Sequence, residues 1–180
     1  MKMRMVHGAI AAFILFSVPL AHGDSAAAGH GFALETGLSP QVGILFGKMP
    51  DVALSGAALQ VLLGWSDGIL RLEAGLEAGE SPLGWQVLVP LRVGLAFAFL
   101  PFDFELLLEA APGVALFQQA PLFLVGLGTI LKAAWNVTPR FALYVAPGVR
   151  WTMCPAYLLA DGTSYTSLDI PLTLGMRFSF

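Results

Sequence analysis

Cysteine is almost missing from this chain. Cys154 stands alone, so no intramolecular disulfide holds the fold. Histidine is scarce as well: His7, His22 and His30 are the whole complement. Charge is sparse, with 12% of the 180 residues charged against 57% hydrophobic, and the mean hydropathy is +0.76. A formal net charge of -3 with no basic cluster excludes a nucleic-acid binder. The composition is that of a membrane protein in one domain. Long uninterrupted apolar runs are lacking too. Ala110 to Leu131 is free of charge and long enough to span as a helix, but it contains Pro112, Gly113, Gln118, Gln119 and Pro121. Elsewhere charges interrupt the apolar residues with period 2. Helices and closed barrels both satisfy every backbone polar group in lipid, and this periodicity selects strands.

The N-terminus carries Lys2 and Arg4, an apolar core from about Ala9 to Leu20, and a small-x-small site at Ala21, His22 and Gly23. Residues 1–23 read as a secretory signal peptide, with Ala28 offering a second cleavage point; the rival reading is an N-terminal anchor. Residues 24–31 then form a short N-terminal segment and 32–180 the membrane domain.

The clearest strand is the last. Leu168, Ile170, Leu172, Leu174, Met176, Phe178 and Phe180 alternate with Ser167, Asp169, Pro171, Thr173, Gly175, Arg177 and Ser179. Side chains alternate across a strand, so one surface is apolar and the other polar. Seven earlier segments obey the same rule: about 32–46, 53–65, 70–79, 85–99, 104–116, 122–137 and 141–151. In the third, Leu70, Leu72, Ala74 and Leu76 oppose Arg71, Glu73 and Glu77, charges that a helix would scatter around its circumference. Eight strands of about 15 residues, rising ~3.3 Å each and tilted roughly 40°, cross a hydrocarbon layer. Trp65, Trp85, Trp135 and Trp151 fall near strand ends on the apolar face. The fourth and eighth strands, VPLRVGLAFAF and IPLTLGMRFSF, are alike enough for a duplicated four-strand unit, though convergence on one barrel pattern explains them nearly as well.

Thr173, Gly175, Phe178 and Phe180 resemble the C-terminal signature of bacterial outer-membrane β-barrels, which that membrane's assembly machinery reads. The whole of 32–180 is similar in architecture to the small eight-stranded barrels of the OmpA, OmpX, OmpW and PagP type. The resemblance implies an all-β, antiparallel, up-and-down transmembrane barrel with both termini periplasmic. Its partners would be the outer-membrane bilayer and the assembly machinery.

The inward face collects Glu35, Glu73, Glu77, Glu105, Glu109 and Asp169 against Arg71, Arg92, Lys132, Arg150 and Arg177. In so narrow a barrel these are expected to form an ion-pair network, the alternative being a gated ion path. Farther from the termini the inward positions turn apolar, at Leu45, Val52, Leu54, Leu88, Phe117, Leu122 and Leu124. Resemblance to OmpW and PagP makes Leu45, Leu54, Leu88, Phe117, Leu122 and Leu124 a candidate pocket for a small hydrophobic molecule; otherwise they are a core beneath the loops. Proline lacks a ladder donor, and Pro40 with Pro171, and Pro90 with Pro112, lie at matching heights on neighbouring strands. Each pair is a candidate lateral gate, or else an outward or bulged site of little effect.

Enzymatic chemistry is not expected. His30 would be the only histidine left after cleavage, and it lies at the end away from the outer surface. No metal cluster, cofactor motif or phosphate loop is legible, so no metal or cofactor is expected. Passage or binding of a small hydrophobic molecule is the first functional expectation. The second is a non-transporting structural or surface-interaction barrel, for which the loop at 155–164, with Tyr157, Leu158 and Leu159, is the longest outer feature.

Overall fold

The computed structural model describes residues 31–46, 52–81, 84–117, 120–154 and 165–180, all in strands or the tight turns between them. The expected signal segment, 24–30, and the loop at 155–164 lie outside these residues. The strands are β1 (Gly31–Phe46), β2 (Val52–Asp67), β3 (Leu70–Ser81), β4 (Gly84–Leu88), β5 (Leu91–Phe99), β6 (Phe102–Phe117), β7 (Ala120–Thr138), β8 (Phe141–Cys154) and β9 (Tyr165–Ser179). Every pairing is antiparallel, consecutive strands pair except that β4 and β5 both lie between β3 and β6, and β9 returns to β1. The sheet is thus a closed up-and-down barrel, without an open edge.

The fourth expected strand, 85–99, is interrupted at Val89 and Pro90 and forms β4 and β5. Both halves pair with β3 on one side and β6 on the other, in unbroken register. They make one barrel strand, so the barrel has eight. The interruption is local because two carbonyls still accept: Gly75 N–H donates to Pro90 O (3.1 Å) and Val89 N–H donates to Pro112 O (2.8 Å).

Alternation decides which side chains meet which medium. Leu59, Leu63, Leu76, Leu108, Leu131 and Ile170 are exposed on the outer wall, while the charged residues between them are buried. An apolar exterior over a polar interior is stable in lipid and would aggregate in water. Two-residue turns at Gly68–Ile69, Leu100–Pro101 and Pro139–Arg140 lie on the same side as Gly31 and Phe180. Gly68 has φ 57°, the left-handed region that glycine adopts without cost. The closing strand is anchored to both neighbours at its end: Phe180 N–H donates to Phe32 O (3.0 Å) and Ser179 N–H to Arg140 O (2.9 Å).

Candidate functional site: the charged lumen

The lumen is filled in tiers. Nearest the termini, Lys132 of β7 points its ammonium between three carboxylates, Glu35 of β1 (2.8 Å), Glu73 of β3 and Glu105 of β6 (3.2 Å). Arg71 pairs with Glu35 (2.6 Å) and Glu73 (3.2 Å), and Arg177 pairs with Glu35 (2.7 Å) and Glu105. Oxygen atoms of Glu35, Glu73 and Glu105 lie within 4.8 Å of one another, a spacing that would suit a metal ion. Strands far apart in sequence bring this trio together, which explains why it was invisible in the chain. The positive charge is already supplied there by Lys132, with Arg71 and Arg177 around it. Tyr144 lies under the ammonium, 5.2 Å from Nζ to ring centroid, and its hydroxyl accepts from Gln60 Nε2 (3.2 Å).

The next tier is built on two arginines. Arg150 makes a bidentate pair with Glu77 (2.6 and 2.8 Å) and donates through Nε to Glu109 (2.7 Å). Arg92 bonds Glu109 (2.8 Å), reaches Glu73 (3.3 Å) and donates to Gln60 Oε1 (3.1 Å), tying the tiers together. Five carboxylates, Glu35, Glu73, Glu77, Glu105 and Glu109, thus meet five cations, Arg71, Arg92, Lys132, Arg150 and Arg177, and each of the ten is at most 6% exposed. Bidentate and charge-assisted bonds of this kind are the strong ones, and they fix the side chains.

Asp169 departs from the expected network. Arg150 is its cross-strand partner in the β8–β9 register, yet Arg150 turns its guanidinium to Glu77 and Glu109. Asp169 Oδ2 instead accepts from Thr152 (3.0 Å) and Ser167 (3.1 Å), and Oδ1 has no hydrogen-bond partner among the described residues. Gln60, Tyr144 and Thr152 were not among the expected site residues, and Asp103 joins at the rim, 3.5 Å from Arg177. A lone inward tyrosine within β8 is the one sequence signal for Tyr144.

Of the six candidate pocket residues, Leu88, Leu122 and Leu124 are buried and pack into one cluster with Ala111, Ala115 and Cys154. The side chains of Leu45, Leu54 and Phe117 lie outside the described residues. A concavity of about 590 Å3 is found on the outer wall instead, floored by Ala74 and Ala110 and walled by Phe32, Leu63, Trp65 and Leu108.

The prolines are at the expected heights but serve different seams. Pro112 accepts from Val89 across the β4–β6 seam, whereas Pro90 accepts from Gly75 across the β3 seam. Neighbouring residues in a strand direct their amides to opposite sides, so adjacent prolines on paired strands need not weaken one ladder. The β1–β9 ladder is interrupted at Ser39 and Pro40, between Leu38↔Leu174 and Gln41↔Pro171. The β8–β9 ladder is interrupted at Gly148 and Pro171, between Pro147↔Leu172 and Arg150↔Asp169. Pro147, not singled out in the sequence, marks a similar gap between β7 and β8.

In the C-terminal signature, Thr173 bonds Ser39 (3.1 Å) and Phe178 packs on Phe141 with ring centroids 5.2 Å apart. Phe180 is exposed at 68%. Gly175 has a structural duty: a Cβ there would fall on the Tyr144 ring and on Thr36 O.

A closed, eight-strand, up-and-down barrel with an apolar wall and a charged lumen has the architecture of a small transmembrane β-barrel. No family model and no curated protein matches the sequence. Among solved structures, the chain is similar to neisserial surface protein A, with TM-score 0.55 and 15% identity over 83% of this chain and 97% of that one. It is also similar to Ail, the attachment invasion locus protein of Yersinia pestis, with TM-score 0.49 and 13% identity over 83% and 99% of the two chains. A further similarity is to the outer membrane protease OmpT of Escherichia coli, with TM-score 0.44 and 9% identity over 87% and 100%.

Proposed function

We propose that this protein is a non-transporting outer-membrane barrel, sealed by its ion pairs, that acts as a structural or surface-interaction element of the membrane. The observation that carries this reading is the ten-residue network with its balanced charge. Arg150, Lys132 and Glu35 span the interior from opposite walls, leaving side chains where a permeating ion would have to pass. The apolar residues beyond it favour the same reading over carriage of a hydrophobic molecule, because Leu88, Leu122 and Leu124 fill space against one another. Separate seams for the prolines likewise give no support to one lateral gate. The two-residue turns beside the termini agree with periplasmic ends, since periplasmic turns of such barrels are short. In this reading 1–23 exports the chain and the C-terminal strand engages the assembly machinery.

Reconstitution into planar lipid bilayers tests the seal. The purified barrel should give no conductance steps above the lipid background and no osmotic swelling of liposomes with small solutes. Discrete ion-conducting steps would overturn the sealed reading. A stoichiometric apolar compound retained in native mass spectrometry would restore the carrier reading.

A further inference from the structure

Beyond the ion-pair plug, on the side away from the termini, the lumen holds one carboxylate too many. The network's five acids are matched by five cations, and Asp169 is left over, 2% exposed and without an ion-pair partner among the described residues. Arg150, its neighbour on β8, is engaged by Glu77 and Glu109 through Nε and both terminal nitrogens. A buried charge without a direct ion pair is costly even when a cation already engaged elsewhere lies beside it.

The second observation lies on the adjoining strand. Gln41 of β1 is also 2% exposed, and its Nε2 donates to Glu80 O (2.8 Å), which fixes the orientation of the amide. Its Oε1 is the atom left over, and like Asp169 Oδ1 it is buried with no hydrogen-bond partner among the described residues. Asp169 is opposite Gly43 and Gln41 is opposite Pro171 in the β1–β9 register, so the two are inward neighbours one step apart, with no side chain at Gly43 between them. Thr152 and Ser167 hydroxyl oxygens complete the surroundings, each donating to Oδ2 and retaining lone pairs.

We propose that Asp169 and Gln41, with Thr152 and Ser167, form a binding site for a hard monovalent cation of the sodium or potassium kind. The donor set is all oxygen, which suits a hard metal ion and not a soft one. It contains one carboxylate, which balances one positive charge. Calcium takes six to eight oxygens and binds tightly through several carboxylates, which this site does not supply. Water would satisfy the oxygens without neutralising the charge; a proton on Asp169 would neutralise it and give Oδ1 a single O–H to donate, whereas a cation draws on the carboxylate, amide and hydroxyl oxygens together.

Thermal unfolding of the whole barrel in lipid nanodiscs, in sodium, potassium or choline chloride at equal ionic strength, tests the site. The wild type should show a saturable rise in Tm with sodium or potassium that choline does not reproduce. Asp169→Asn should abolish the rise, and Gln41→Leu should weaken the half-saturating concentration about tenfold. Line broadening of 23Na NMR by wild type, and its reduction by Gln41→Leu, gives a second readout should Asp169→Asn fail to fold. Equal responses in all three salts, or a rise that persists in Asp169→Asn, would overturn the proposal. So would stabilisation by acid alone with no dependence on sodium or potassium, which would identify a proton as the occupant.

Discussion

Lys132→Met is expected to cost about 3–5 kcal/mol of stability, the range for removing one partner from a buried ion pair. The loss would far exceed that of an exposed lysine because Lys132 is 2% exposed and holds Glu35, Glu73 and Glu105 at once. Without it three carboxylates converge with only arginines at their flanks. Urea unfolding in detergent, followed by the shift of the folded band in cold gel electrophoresis, measures the change. The double variant Lys132→Met with Glu35→Gln should recover part of the loss, since it removes one of the acids that the ammonium neutralised. A single variant within about 1 kcal/mol of wild type would mean that water or a proton readily replaces the ammonium.

Gly94→Ala is expected to be as damaging, for a steric reason. Gly94 faces inward on β5, opposite Leu107. A Cβ built there falls on the carbonyl oxygen of Leu106 and lies 2.8 Å from Leu107 Cα. Both obstacles are backbone, so relief requires the β5–β6 pair to move apart rather than a rotamer to change. Glycines at such points let a barrel bend sharply. The variant should lose more than about 3 kcal/mol, above the usual range for a point mutation, or give no heat-modifiable folded band. Gly68→Ala is the control: nothing lies within 4 Å of its Cβ, and only the positive φ opposes it, at about 1–2 kcal/mol. Equal behaviour of the two variants would refute the steric account.

The two surfaces of the barrel were legible in the sequence because strand periodicity is insensitive to register. Leu72, Glu73 and Ala74 fix their sides of the wall whatever β3 pairs with. Pairing across the lumen was not legible, since it depends on how far each strand is staggered. Arg150 shows the difference: local register places Asp169 beside it, but the guanidinium crosses to Glu77, 73 residues earlier. Prolines failed in the same way. Height could be counted along the chain, whereas the side to which each missing amide points follows from the pairing of every strand before it. Gly37 and Gly175 read only as small residues until Tyr144 was seen to occupy the space of both missing side chains.

The lumenal charges also have an order along the chain. Apart from Asp103 at the rim, strands β1 to β6 contribute the buried Glu35, Glu73, Glu77, Glu105 and Glu109 against Arg71 and Arg92, an excess of three negative charges. Strands β7 to β9 contribute Lys132, Arg150 and Arg177 against Asp169, an excess of two positive charges. The polypeptide is therefore a polyampholyte with its signs segregated, acidic in its early strands and basic in its late ones. A sheet still open at the β1–β9 seam carries opposite potentials on its two wings, and attraction between them, strongest where water is thinning, draws the wings together. Glu35 on the first strand and Arg177 on the last bond across the β1–β9 seam (2.7 Å), so the seam that closes the cylinder also joins its two oppositely charged wings.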